Sequence, residues 1–374
     1  MRFPEFSGEW ERCKVKDFTK VVAGATPSTS NKEYWGGDIR WMNSGELNLK
    51  RVYEVQGRIT QLGYEKTSTK IIPPQSVLIG LAGQGKTRGT AAINYVELCT
   101  NQSIASILPS DKYYPEFLYQ NIESRYKELR DISSGDGGRG GLNLQMIYNL
   151  NIPYCSISEQ RKIGDFLCLL DQRIETQRKV IEDLKKLKDA ISFILFTSET
   201  CDKWELSNLA TIVMGQSPSS QCYNTDNDGL PLIQGNLDIT KGKLTPRLYS
   251  SEMTKKCHTG DVILTVRAPV GEVAIADFDA CIGRGVCAIR PFNNNYSVLI
   301  YQFLQHYKPK WISLEQGSTF TSVSRNDIMS IKIGVPSIQA IEILNILDDK
   351  ISIEDVILNN LNSQKNYLLA QMFI

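Results

Sequence analysis

The stretch "IGDFLCLLDQRIETQRKVIEDLKKLKDAISFIL" (163–195) decides the fold, because its apolar residues recur at alternating spacings of four and three. A second stretch, "AIEILNILDDKISIEDVILNNLNSQKNYLLAQM" (340–372), repeats this spacing 177 residues later. In each stretch two polar residues interrupt the apolar stripe, and they fall at the same two steps. An apolar repeat of 3.5 residues over this length is typical of a coiled-coil seam.

We therefore predict two long helices that pair through a narrow apolar seam. An alternative is that each helix is simply amphipathic and packs on its own domain. The narrow stripe and the heavily charged flanks favour the coiled coil. The predicted seam residues are Ile163, Leu167, Leu170, Ile174, Ile181, Leu184 and Ile191 in the first helix, and Leu344, Leu347, Ile351, Leu358, Leu361 and Leu368 in the second.

The polar interruptions suggest a register for this pair. The segment between the helices is long enough for the second helix to return antiparallel to the first, with a pseudo-two-fold axis between them. If that axis passes midway between the interruptions, Gln177 faces Lys365 and Glu354 faces Lys188. Polar seam residues of this kind are known to fix register.

The rest of the sequence also contains an internal repeat. "WERCKVKDFTKVVAGATPST" from Trp10 answers "WELSNLATIVMGQSPSS" from Trp204, and "CTNQSIASILP" (99–109) answers "CIGRGVCAIRP" (281–291) at an offset of 182. Such matches occur in the same order along both halves, which indicates a tandem duplication. Short β-rich runs and one helix in each half predict a mixed α/β (α+β) fold. The predicted parts are globular domain 1 (1–155), a central coiled-coil helix (156–199), globular domain 2 (200–336) and a C-terminal coiled-coil helix (337–374).

Composition excludes several functional classes. The formal net charge is +1, so any nucleic-acid surface must be a local patch. No long apolar run or basic leader is present, and the nine cysteines form no CxxC pair, which predicts a reduced, cytoplasmic protein. Two histidines in unrelated contexts disfavour both a metal site and Ser-His-Asp catalysis, so we expect no catalytic residues and no metal in this chain.

One motif points elsewhere. "GLAGQGKT" (Gly80–Thr87) matches the phosphate-binding P-loop pattern and would make the chain an ATP-binding enzyme. The equivalent stretch of the second half, "TVRAPVGEVAIA", has no Lys-Thr pair. Gly89 and Gly271 occupy matching positions and predict β-hairpins. A P-loop instead requires a helix that begins at the Lys-Thr pair. The favoured interpretation is therefore a polar loop tip.

The helix entries "SISEQRKIGDFLCLLDQRI" (156–174) and "PSIQAIEILNILDDKI" (336–351), together with the Trp-led duplicated domains, carry a resemblance. The order of elements resembles that of the specificity subunit of type I restriction-modification systems, over essentially the whole chain. In the second copy Ser158, Glu159 and Gln160 have no counterpart, which leaves open how that helix begins. A purely structural scaffold remains a further alternative.

The resemblance implies a subunit without a catalytic centre. Globular domains 1 and 2 would be target-recognition domains (recognition domains 1 and 2), each reading one half of a split double-stranded DNA site. The paired helices would dock two methyltransferase subunits, with two restriction subunits joining in the complete enzyme. S-adenosylmethionine, ATP and Mg²⁺ would be bound by those other chains and no cofactor by this one.

Candidate DNA contacts follow from the chemistry of base recognition, in which Arg or Lys suits guanine and Asn or Gln suits adenine. Residues of these types, and short polar residues beside them, lie in loops that follow the predicted strands and helices. The candidates are Asn43, Ser44, Glu46, Gln84, Lys86, Arg88, Arg139 and Asn143 in the first half, and Gln234, Asn236, Arg267, Thr319, Thr321, Ser322 and Arg325 in the second.

Overall fold

A computed structural model describes residues 2–83, 86–133, 140–198, 202–315 and 322–373 of the chain. The chain forms two compact units. Unit 1 comprises Met1–Gln177 and Ile357–Ile374, and unit 2 comprises Arg178–Val356. Each unit therefore contains one recognition domain and one part of each long helix.

Unit 1 begins with short strands and small helices and ends in the first long helix. Its strands are β1 (Glu11–Lys14), β2 (Val21–Ala23), β3 (Trp35–Met42), β4 (Arg51–Val52), β5 (Arg58–Ile59), β6 (Val77–Gly80), β7 (Ala91–Asn94), β8 (Cys99–Thr100), β9 (Ile104–Ile107) and β10 (Asn151–Tyr154). Its helices are α1 (Gln61–Glu65), α2 (Pro115–Ser124), α3 (Tyr126–Ile132), α4 (Leu144–Tyr148) and the start of α5 (Ile157–Thr197).

Two sheets organise unit 1. The larger has the order β2-β9-β6-β7-β4, the smaller has the order β5-β3-β8, and β1 pairs separately with β10. Strands β6, β7 and β9 are buried along their whole length, which is why they read as continuous apolar runs rather than alternating ones. Helix α2 contributes Phe117 and Ile122 to the core beside these strands.

Unit 2 repeats this plan with more numerous short strands. They are β11 (Lys203–Glu205), β12 (Ala210–Met214), β13 (Tyr223–Asn224), β14 (Leu230–Ile233), β15 (Ile239–Thr240), β16 (Lys243–Leu244), β17 (Leu248–Ser250), β18 (Lys256–Cys257), β19 (Val262–Thr265), β20 (Val273–Ile275), β21 (Ala280–Ile282), β22 (Val286–Pro291) and β23 (Lys332–Gly334). The helices are α6 (Asn295–Glu315), α7 (Arg325–Met329) and the first part of α8 (Ile338–Met372).

The sheets of unit 2 mirror those of unit 1. One has the order β12-β22-β19-β20 and the other β13-β17-β14-β21-β18, and β11 pairs with β23 as β1 pairs with β10. Helix α6 places Ile300, Phe303 and Leu304 in the core beside the first sheet. The duplication read from the sequence is thus present in the strand order.

The two long helices bury the predicted seam. Every seam position of α5 and α8 is buried or half-buried, and most intervening positions are exposed. In unit 1, Leu369 of α8 shares one core with Ile163 of α5. In unit 2, Ile341 of α8 shares one core with Phe196 of α5. The late end of each helix therefore packs beside the early end of the other, which confirms the antiparallel coiled coil.

The predicted register is wrong. The Lys365 ammonium lies 2.6 Å from the Asp171 carboxylate, and the Lys188 ammonium lies 2.6 Å from Asp348. Asp348 precedes the proposed partner Glu354 by six residues, or about 9 Å of helix, and Asp171 precedes Gln177 by the same interval.

The recognition domains account for this difference. Lys365 also pairs with Glu123 of α2 at 2.9 Å, and Lys188 donates a hydrogen bond of 2.6 Å to Gln305 of α6. Glu123 and Gln305 are equivalent positions of the repeat, 182 residues apart. Each lysine therefore meets an acceptor from the domain helix as well as a carboxylate from the partner helix. The register of α5 and α8 therefore also depends on a helix of the recognition domain in each unit. The sequences of the two long helices alone cannot reveal it.

An ionic network connects α2, α5 and β4 in unit 1. The Arg51 guanidinium forms two hydrogen bonds with Glu116, of 3.2 and 2.8 Å, and a third with Asp171 at 3.0 Å. The Tyr95 hydroxyl donates to Glu116. Burial is the main cause that raises the pKa of Tyr95, and the Glu116 carboxylate raises it further. These largely buried charges are paired on all sides, as burial requires.

Glu123 makes unit 1 sensitive to acid. Burial alone would raise the pKa of Glu123, but the ammonium groups of Lys365 and Lys50 lower it below the ordinary value of 4.5. The stability contributed by this carboxylate is therefore present above about pH 4.5 and is lost as the pH falls through the lower, folded-state pKa.

The two long helices begin differently. Ser156 Oγ accepts from the Glu159 amide at α5, and Ser337 Oγ accepts from the Ala340 amide at α8, both at 3.3 Å. Glu159 additionally accepts from Arg2 at 2.6 Å and from the Trp10 indole at 3.2 Å. The glutamate missing from the second copy thus holds the N-terminal segment, and a serine alone begins α8.

The cysteines and candidate metal ligands form no disulfide or metal site within the described ranges. The eight cysteines within the described ranges are free thiols, and those ranges bring together no group of side chains suited to a metal ion. None of the helices in the described part of the chain has the length and apolar character needed to cross a membrane.

Candidate nucleic-acid interface

The segment that matches the P-loop pattern is the tip of a β-hairpin. The Gly80 amide donates to Thr90 O at 3.0 Å and the Gly89 amide to Gly80 O at 2.9 Å, so β6 turns back into antiparallel β7. After Thr87 the described chain continues into a turn and then a strand. The ATP-binding alternative lacks its required helix and is wrong. The predicted hairpin is confirmed in both units, since β19 and β20 pair in the same way.

Five loops of unit 2 meet at one edge of its sheets. We call the loops 215–221, 233–236, 266–271, 283–285 and 322–325 the unit 2 loop edge. Backbone hydrogen bonds join them directly: the Gln216 amide to Ile282 O, the Gly283 amide to Ile233 O, the Val266 amide to Gly285 O and the Val323 amide to Val266 O, all 2.8–2.9 Å. Main-chain hydrogen bonds therefore hold the loops together, and these bonds do not depend on which side chains the loops carry.

Unit 1 has the same edge. We call the loops 24–30, 42–46, 81–90 (of which residues 81–83 and 86–90 are described), 101–103 and 140–143 the unit 1 loop edge. The Asn101 amide donates to Met42 O at 3.0 Å, the Leu81 amide to Ser103 O at 2.8 Å and the Leu142 amide to Leu81 O at 2.9 Å. Three of the five loops in each unit carry residues that the sequence nominated.

Glycines allow the loops to approach this closely. A Cβ atom on Gly24 would lie 1.8 Å from Thr100 O, and one on the equivalent Gly215 would lie 2.1 Å from Gly283 O. Any side chain at these positions would push the first loop away from its neighbours.

Replacing Gly285 by alanine is expected to destabilise unit 2 by about 1–3 kcal/mol, the usual cost of overpacking. Its Cβ would lie 2.0 Å from Gln234 O, whereas a Cβ on Gly235 would meet nothing within 4 Å. Urea unfolding of the two variants measures the difference, with Gly235→Ala as the matched control. Equal stability of both variants would mean that the two loops do not depend on each other.

The first group of nominated residues forms a local cap. Asn43 accepts from the Gly45 amide at 2.8 Å and begins a 3₁₀ helix at Ser44–Leu49. The Glu46 carboxylate accepts from the amides of Asn43 and Gln56, both at 3.0 Å. These side chains shape the loop edge, and Ser44 lies half-buried beside them.

The remaining candidates of unit 1 divide into exposed and structural positions. Lys86 is exposed at the hairpin tip. Arg88 donates to Gly140 O and so connects two loops of the edge. Asn143 accepts from the Met146 amide at 2.9 Å and caps α4. Gln84 and Arg139 lie outside the described residues.

The candidates of unit 2 lie along its edge. Gln234 and Asn236 are half-buried, and Arg267, Ser322 and Arg325 are exposed. Arg267 and Ser322 form an isolated β-bridge. Thr319 and Thr321 lie outside the described residues.

The arginines of domain 2 separate into two groups. Arg247 pairs with Asp238 and Arg290 with Asp261, at 2.8 and 2.9 Å. Within the described ranges, the guanidinium groups of the other three, Arg267, Arg284 and Arg325, meet no acceptor and are exposed. All three stand on the loop edge. Among the described residues, the unpaired arginines of domain 2 are therefore concentrated on the unit 2 loop edge.

Sequence reasoning missed two of the five loops. Gln102 and Arg284 occupy the turns 101–103 and 283–285, and Thr26 and Ser217 lie in the first loop of each edge. The offset of 182 residues aligned Gln102 with Arg284, but nothing in that alignment placed the turn beside the other loops.

The chain is similar to proteins of one family. Residues 7–186 and 199–363 match the type I restriction modification DNA specificity domain, once in each half. The MjaX protein of Methanocaldococcus jannaschii, assigned as a type I restriction enzyme specificity subunit, is 27% identical over 90% of this chain and 85% of its own length. The MjaIX specificity subunit of the same organism is 35% identical over 48% of this chain and 42% of its own length. The chain therefore belongs to the family of type I restriction-modification specificity subunits, which are non-catalytic DNA-recognition components, as the sequence predicted.

Solved structures share the fold. The crystal structure of a type I restriction-modification S subunit from M. genitalium superimposes with a TM-score of 0.67 at 17% identity, over 98% of this chain and 96% of that one. A chain from a study of type I system assembly gives a TM-score of 0.61 at 20% identity, over 97% of both chains. The mixed α/β class with duplicated domains is thereby confirmed.

Proposed function

We propose that each unit reads one half of a bipartite double-stranded DNA site through its loop edge. The observation that carries this proposal is the set of exposed, unpaired arginines on the unit 2 loop edge, among the described residues, while the other two arginines of that domain are paired. Arginine is the side chain that most often reads guanine in the major groove, and backbone amides near glycines suit phosphate contacts.

The long helices support a spacing function. Helix α5 has 41 residues and α8 has 35, or about 62 and 53 Å at 1.5 Å per residue. One turn of B-DNA spans about 34 Å. A rod of this length suits a protein that reads two half-sites more than one turn apart.

The helices also suit the docking of partner subunits. Phe166 and Leu169 of α5 lie outside the seam and are 40% and 65% exposed, and the equivalent Ile343 and Ile346 of α8 are 49% and 65% exposed. Exposed apolar pairs repeated once in each unit match the docking of two methyltransferase subunits, one on each unit. Two restriction subunits would join this assembly.

The chemistry of the assembled enzyme would reside in the partner chains. We propose that S-adenosylmethionine serves the methyltransferase subunits and that ATP and Mg²⁺ serve the restriction subunits, with none bound here. The assembly would act in the cytoplasm.

Arg267→Ala is expected to weaken DNA binding by about 1–3 kcal/mol, because a base-reading arginine makes a bidentate contact of that value. The loss should be confined to sites with one particular base pair. Filter binding of the complex to a panel of single-base variants measures it, with Lys332→Ala on β23 as a control of equal charge change. An unchanged affinity for every site would remove Arg267 from the interface.

Mapping methylated positions tests the whole proposal. The chain is produced with its methyltransferase partners in a host, and every modified base of the host genome is located. A split site with a fixed spacer is expected. Methylation at a single continuous motif, or none that depends on this chain, would contradict a bipartite reader.

A further inference from the structure

The turn Gly283-Arg284-Gly285 lies in the middle of the unit 2 loop edge, between β21 and β22. Its backbone is fixed from three sides. The Gly283 amide donates to Ile233 O at 2.8 Å and the Arg284 amide to Ser217 Oγ at 3.1 Å, while Gly285 O accepts from the Val266 amide at 2.9 Å. A side chain on this turn therefore starts from a rigid position among three other loops.

The surroundings of Arg284 leave its side chain open. Gly283 and Gly285 pack closely against Gln234, so no neighbouring side chain on the turn shields the arginine. Across the described ranges, no carboxylate or carbonyl lies within hydrogen-bond distance of its guanidinium group. A guanidinium that starts from a fixed backbone position and has no partner among the described residues is available to a planar, two-pronged acceptor such as O6 and N7 of guanine.

The repeat places Gln102 at the corresponding position of unit 1. Gln102 is exposed on the turn 101–103, and its Oε1 accepts from Thr26 Oγ1 at 2.6 Å. The Leu81 amide donates to Ser103 O at 2.8 Å, which ties this turn to the hairpin loop. The threonine orients the glutamine amide, and an oriented amide suits N6 and N7 of adenine.

We propose that this repeat position is a base-reading residue in both units, with Arg284 selecting guanine in one half-site and Gln102 selecting adenine in the other. The inference rests on the proposed bipartite reading of DNA and adds to it which residue discriminates and for which base. One turn in each unit would then specify one base pair, independently of the other unit.

The test is methylation mapping with the assembled methyltransferase and genomic DNA, for the wild type and for Arg284→Gln and Gln102→Arg. We expect Arg284→Gln to lose its preference for guanine at one position of one half-site by about tenfold to a hundredfold, with the other half-site unchanged. Gln102→Arg should alter one adenine of the opposite half-site. An identical site for wild type and Arg284→Gln would overturn the inference, although the bipartite function would stand.

Arg284→Lys separates base reading from phosphate contact, because lysine keeps the charge but lacks the planar fork. A base-reading arginine should lose part of its discrimination for guanine in this variant, because lysine can still bind guanine but without the fixed two-pronged geometry. If Arg284 only contacts phosphate, the bases selected by the wild type should stay unchanged. If Arg284→Gln no longer methylates, its binding to duplexes that differ from the wild-type site at single positions decides the question. Lost discrimination at one position supports the inference, and equal weakening on every duplex overturns it. A wild-type chain without any split site would instead refute the proposed function.

Discussion

Arg51→Ala is expected to lower the free energy of unfolding of unit 1 by about 3–5 kcal/mol, the usual cost of removing one partner from a buried ion pair. The variant leaves Glu116 with only the Tyr95 hydroxyl as a donor among the contacts described above, and it removes one of the two cations beside Asp171. Urea unfolding of the full chain measures the loss. Hydrogen exchange in α2 and the first half of α5 locates it.

Arg40→Ala is the matched control. Arg40 makes the same two-pronged pair, with Glu54 at 3.0 and 3.2 Å, but the two side chains are 36% and 56% exposed, against 12% for Arg51. Solvent screening makes such pairs weak, so this variant should unfold almost as the wild type does. Similar losses in both variants would show that burial of the Arg51 network does not set its contribution.

Leu169→Glu combined with Ile346→Glu is expected to abolish assembly with methyltransferase subunits. Both side chains are 65% exposed, so the chain should fold normally, but a charge in an apolar docking surface would remain unpaired on assembly. Each single variant should retain one methyltransferase subunit and lose the other. Size-exclusion chromatography with light scattering gives the mass of each complex.

Met253→Glu serves as the control for this experiment. Met253 is 62% exposed but lies in the loop between β17 and β18 of unit 2, outside the long helices. It should assemble fully. If the double variant also assembles fully, the exposed apolar pairs on α5 and α8 are not the docking surface.

The duplication and the helical seam were predictable because both depend on patterns within the chain. A helical seam requires only that apolar side chains recur on average every 3.5 residues. Positions such as Ile163 and Leu344 meet this requirement, whatever the structure of the domains around them. The P-loop match at Gly80–Thr87 could be rejected from the sequence in the same way, because the equivalent stretch of the second half lacks the motif.

The register and the reading residues were not predictable, for two physical reasons. The register depends on Glu123 and Gln305, which belong to the recognition domains and approach the helices only in three dimensions. The loop edge mixes residue types that serve two purposes. Asn43 and Asn143 cap the N-termini of the helices Ser44–Leu49 and Leu144–Tyr148, although an asparagine side chain is equally suited to bind adenine.

The order in which the chain is synthesised conflicts with the way unit 1 is completed. Leu369 and Met372 lie far downstream of Phe117 in the sequence and belong to the same core. Part of the apolar surface of recognition domain 1 therefore stays uncovered until α8 has been synthesised. Deleting the last turns of α8, residues 360–372, would therefore damage unit 1 more than unit 2.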